Sequence, residues 1–68
     1  MDGQRETMYR LFMALGGDKE STIRAYAEAE ERGEVERKSN THAWGSLTYA
    51  RALWRDGVRN GWLPVMTD

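Results

Sequence analysis

Cysteine is absent from the 68 residues and proline occurs once. Without cysteine there is neither a disulfide nor a thiolate metal site. A single histidine, His42, excludes a histidine-built zinc or haem centre unless carboxylates supply the other ligands. No apolar run approaches the roughly 20 residues that a membrane span needs. Residues 1–6 lack the apolar stretch of a secretory signal. These absences lead to the expectation of a small cytoplasmic domain, with no cofactor, no metal and no membrane partner. Large apolar residues are also scarce: Leu, Ile, Val and Phe together number ten.

So thin a supply of aliphatics is a mark of disorder only when net charge is high. Here the net charge is −1, and seven Ala, four Met, three Trp and three Tyr fill the gap. Trp and Tyr each bury a large area, so a folded domain with an aromatic core is expected. A chain this short buries only about 60% of its unfolded surface. Part of the core is therefore expected to be completed by another chain, either in a homodimer or on a larger protein. The charge is unevenly placed as well. Residues 1–36 hold five basic and nine acidic groups, and residues 37–68 hold five basic and two acidic. A basic half of this kind suits a polyanion, with the acidic half turned to water or protein.

Helical periodicity dominates. Met8, Leu11, Phe12 and Leu15 recur at i, i+3, i+4 and i+7, which predicts a first helix over about residues 4–15. Gly16-Gly17 stops it, and Asp18 is a good N-cap for a second helix over about 19–32 that buries Ile23, Tyr26 and Ala27. Glu34-Val35-Glu36-Arg37 alternates like a short strand, and Ser39-Asn40-Thr41 is turn chemistry. Ser46 is expected to cap a third helix over about 47–60, with Leu47, Ala50, Leu53, Trp54 and Val58 inward and Tyr49 outward. Gly61 ends that helix, and Trp62-Leu63 folds back as an anchor before Pro64. Residues 1–3 and 64–68 are expected to be flexible ends. The expected fold is mainly α, a single three-helix domain with a short wing-like hairpin or loop between helices two and three. The expected core gathers the residues just named together with Val35 and Trp62.

Two helices joined by a short glycine turn form a helix-turn-helix unit, whose second helix can enter a major groove with its N-terminal residues on base edges. Those residues are Ser21, Thr22 and Arg24. Ser21-Thr22-Ile23-Arg24, an Ala-rich stretch and Glu31-Arg32-Gly33-Glu34-Val35-Glu36-Arg37-Lys38 together resemble the winged helix-turn-helix domains of GntR-type repressors. The resemblance covers about residues 11–40. It implies that Ser21, Thr22 and Arg24 contact double-stranded DNA and that Arg37 and Lys38 sit on a basic wing. Glu34 departs from the family pattern, which has an apolar residue there.

Arg51, Arg55 and Arg59 recur every four residues and form one basic stripe on the third helix, suited to a phosphate backbone. The bland alternative is a solvated face paired with the acidic second helix, for instance with Glu28 and Glu31 of a neighbour. Trp54 falls in the apolar stripe and reads as core. Trp44 and Trp62 lie in or beside loops and are candidate protein-interface residues. His42 reads as a surface residue. No nucleophile stands beside a base, and Gly16-Gly17-Asp18-Lys19 lacks the spacing of a phosphate loop. An enzyme is not expected. The leading expectation is a small regulatory DNA-binding module. The alternative is a protein-interaction module, or an inhibitor of a larger enzyme, that presents Glu28, Glu31, Glu34 and Glu36.

Overall fold

The computed structural model describes residues 3–37 and 43–64. They form three helices: α1 (Gly3–Ala14), α2 (Lys19–Glu31) and α3 (Ser46–Asn60). Helix α2 is central and packs against both neighbours.

One stop device closes all three helices. The amide that follows the closing glycine of each helix donates to a carbonyl five residues back: Gly17 to Phe12 at 2.9 Å, Glu34 to Ala29 at 2.9 Å and Trp62 to Gly57 at 3.0 Å. The preceding amide donates three back, from Gly16 to Met13, Gly33 to Glu30 and Gly61 to Val58. This paired closure needs a residue at positive φ, and Gly16, Gly33 and Gly61 supply it at 71°, 80° and 83°. Asp18 starts α2 by accepting the Ser21 amide on its carboxylate at 2.8 Å. At α3 the expected Ser46 cap is displaced by one residue. Gly45 is the N-cap, its carbonyl takes the Tyr49 amide at 3.0 Å, and Ser46 already lies within the helix.

The core is Met8, Phe12, Ile23, Tyr26, Ala27, Tyr49, Ala50, Trp54 and Leu63, with Leu11, Val35, Leu53, Val58 and Trp62 packed at its edge. Phe12 and Trp54 meet with ring centroids 5.5 Å apart, and this contact joins α1 to α3. These side chains bury one another within a single chain. Gly57 is needed where the chain folds back: a Cβ there would lie 2.6 Å from Leu63 Cδ1 and 2.9 Å from Trp62 Cζ2.

Two expected core residues lie outside it. Leu15 comes after α1 has ended, and Leu47 stands at the edge of the buried face of α3; it is 42% exposed. Tyr49, expected outside, is buried. The buried stripe of α3 runs through Tyr49, Ala50, Leu53, Trp54 and Gly57, and is therefore rotated toward Tyr49 relative to the expected one.

No strand occurs among the described residues, so the hairpin form of the expected wing is not seen. Strand pairing is pre-empted locally. Val35 packs on the core, and the Glu36 carbonyl, which a ladder would use, accepts from Gln4 Nε2 at 3.0 Å. Lys38 and His42 lie outside the described residues.

Candidate functional site

The residues expected to contact DNA separate into two groups. Thr22 and Arg37 turn inward. Thr22 is 0% exposed, and its hydroxyl donates to the Asp18 carbonyl at 2.6 Å. It cannot reach a base while the turn is folded. Its placement was visible as spacing, since Thr22, Tyr26 and Ala29 lie at i, i+4 and i+7 on the buried face.

Arg37 is held on three sides. Its Nε donates to Glu30 Oε1 at 2.6 Å, Nη1 donates to the Trp44 carbonyl at 2.8 Å, and the guanidinium lies 5.0 Å from the Tyr49 ring centroid. The Arg37 and Glu30 side chains are only 17% and 8% exposed. The planar fork of arginine suits this multiple anchoring. Arg37 thus ties the end of α2 to the start of α3, and it is not an exposed wing cation. Beside it, the Tyr49 hydroxyl donates to Gln4 Oε1, which draws the start of α1 into the same polar seam. Sequence periodicity missed this seam because its partners lie on different elements.

The remaining positions stay on the surface. Ser21 and Arg24 are exposed on α2, in helical register with Glu28 and Glu31 on the same face. Basic character is therefore confined to the first half of that helix. On α3, Arg51, Arg55 and Arg59 are all exposed. Together with Lys19 they line a groove of about 410 Å³ between the start of α2 and the length of α3. Its floor is Ile23, Trp54 and Val58. Four cations and no acid line this groove. Its volume lies within the ordinary range of ligand sites.

The cations are not equivalent. Arg51 Nη1 donates to Glu20 Oε1 at 2.8 Å across the α2–α3 seam. This bond lowers the pKa of the Glu20 carboxyl and raises that of the Arg51 guanidinium. Arg55 and Arg59 have no ion-pair or hydrogen-bond partner among the described residues. One arginine of the three thus pairs with an acid of α2 among the described residues, and that acid is Glu20 of the same chain rather than Glu28 or Glu31.

Trp44 is 46% exposed. Trp62 is half-buried against the core, with the Arg5 guanidinium 5.4 Å from its ring centroid. Among the described residues no group of three His, Cys, Asp or Glu side chains is placed to hold a metal. No helix among them is long and apolar enough to cross a membrane. No protein-family model matches the chain, and no curated protein or solved structure matches it.

Proposed function

We propose that the protein is a small double-stranded DNA-binding module of regulatory type. The observation that carries this reading is the groove of Lys19, Arg51, Arg55 and Arg59, where two arginines without partners among the described residues stand in a chain of net charge −1. Unneutralised guanidinium groups in a row four residues apart match a phosphate chain, whose bound counterions are released on contact. Arg55 and Arg59 grip phosphates, and Lys19 and Arg51 extend the track. Ser21 and Arg24, on the first half of α2, are the residues available to base edges. The acids Glu28 and Glu31 farther along that face hold the second half of the helix away from the duplex. The turn between α1 and α2 is the helix-turn-helix element of the GntR-type resemblance, with Thr22 and Arg37 reassigned to the interior.

The test is fluorescence anisotropy of a labelled mixed-sequence duplex at low and near-physiological salt. Binding should weaken steeply with salt, and the doubly substituted R55A/R59A protein should lose up to about two units of the log–log salt slope. A slope unchanged by the double substitution removes the groove from the phosphate track. No binding at low salt transfers the function to a protein partner.

A further inference from the structure

The rim of the groove carries one feature that a plain phosphate track would not need. Glu20 stands in the first turn of α2 with its carboxylate on Arg51, and the electrostatic field of Lys19 and Arg24 also acts on it. It is an acid beside three cations, Lys19, Arg24 and Arg51, at the place where the groove meets the exposed start of α2. The pair is open to water on both sides, with side chains 44% exposed for Arg51 and 53% for Glu20. An exposed pair of this kind adds little to stability. For a polyanion its effect is larger. A phosphate approaching Arg51 meets a carboxylate already in place, and either displaces it or binds beside a like charge.

We propose that Glu20 is a resident competitor for the ligand of this groove. It holds Arg51 when the groove is empty, yields it when a phosphate chain binds, and so limits sequence-independent affinity. This inference rests on the polyanion-binding reading of the groove. Glu20 hydrogen-bonds Arg51 but acts on Arg24 only through its field, so contacts from Ser21 and Arg24 to bases are opposed less, and the competitor raises the ratio of specific to non-specific binding. Arg55 and Arg59 lie farther along α3 without a competitor, which makes Arg51 the regulated member of the stripe.

The experiment compares four versions of the 68-residue chain, namely the parent, E20Q, R51A and E20Q/R51A. Each is titrated with the same labelled duplex across a salt series and, in parallel, with inorganic polyphosphate as a bare polyanion. Glu20 is exposed, so the glutamine variant should keep the helical circular-dichroism spectrum and melting temperature of the parent. E20Q should tighten binding by about fivefold at low salt, which is near the most that an exposed pair can withhold. The salt slope should stay within about half a unit of the parent's, because Arg51 contacts a phosphate in both proteins once the chain is bound. In the R51A background the same substitution should change affinity by less than about twofold, because the group for which Glu20 competes is gone. A fivefold gain that persists without Arg51 overturns the proposal, since Glu20 would then act as general surface charge. So does an E20Q protein that binds no more tightly than the parent. If polyphosphate binds and shows this pattern while the duplex does not bind, the competitor stands and the DNA reading falls. If neither polyanion binds the parent or E20Q, both fall together.

Discussion

Arg37 and the Arg55–Arg59 pair are the same residue type in one small molecule, and their surroundings give them opposite uses. Arg37 meets a nearly buried carboxylate, a backbone carbonyl and an aromatic face within one seam. Arg55 and Arg59 meet water along the outer edge of α3. The difference teaches that a run of arginines read from sequence has no function until counter-ions are assigned. A cation already neutralised by its own chain holds the fold, and one left unneutralised is available to a ligand. Arg51, paired but exposed, lies between the two.

The strongest way to break this comparison is to remove Arg37. Glu30 would keep a buried charge with neither oxygen bonded, because its Oε2 already lacks a partner among the described residues. Arg37→Ala should cost about 3 kcal/mol, and on the order of 15 °C in melting temperature for a domain of this size. Adding Glu30→Gln should recover part of that loss. Differential scanning fluorimetry measures both, and a melting temperature within two or three degrees of the parent would remove Arg37 from its structural role.

Next in size is the neighbouring hydroxyl. Tyr49→Phe leaves Gln4 Oε1 without the Tyr49 donor in the seam and should cost about 1–2 kcal/mol, read as a lower urea midpoint at unchanged m-value. Smaller again is the Asp18 cap. Its carboxyl pKa is lowered by hydrogen bonds from Ser21. A lowered folded-state pKa means that stability is fully present above the ordinary carboxylate value of 3.8 and is lost as pH falls below it, through the folded value. Asp18→Ala should lower the melting temperature by a few degrees at neutral pH and flatten the acid limb of stability below pH 4. An acid limb identical in parent and variant would show that the cap does not couple to folding. The smallest stability effect belongs to R55A/R59A, whose melting temperature should match that of the parent. A loss comparable to that of Arg37→Ala would erase the distinction between the two arginine classes.

Much of the fold is legible in the sequence because local chemistry encodes it. Gly16-Gly17, Gly33 and Gly61 punctuate the chain where left-handed backbone is required, and Asp18 marks the start of α2 within a residue. Periodicity places Met8, Phe12, Ile23, Tyr26 and Trp54 inside. It fails at Leu15, where α1 has already ended, and at Leu47, where packing turns the buried face of α3 toward Tyr49. The same packing explains Tyr49: its burial depends on Gln4 and Arg37, which lie 45 and 12 residues away. The arginine stripe is legible as a repeat of four along α3. That it forms one wall of a groove is not, since the other wall is the start of α2. Arg37 resembles a wing cation in one dimension because the Gly33 reversal, which brings it back to Glu30, acts only in three. Nor does the list of charges reveal which arginine has a resident acid, since Glu20 and Arg51 are 31 residues apart.

Trp54 belongs to two surfaces at once. Its indole packs on Phe12 in the core, and the residue also forms part of the groove floor, yet only 3% of it is exposed. An occupant of the groove therefore changes the surroundings of a chromophore that water scarcely touches. With Trp44 and Trp62 replaced by phenylalanine, the remaining emission follows occupancy and unfolding through one ring, and the two shift it differently. Unfolding carries the indole into water and moves its emission to longer wavelength. A phosphate chain over Arg55 and Arg59 leaves it dry and alters the local field. The molecule thus contains its own optical gauge, placed by the same packing that made the groove.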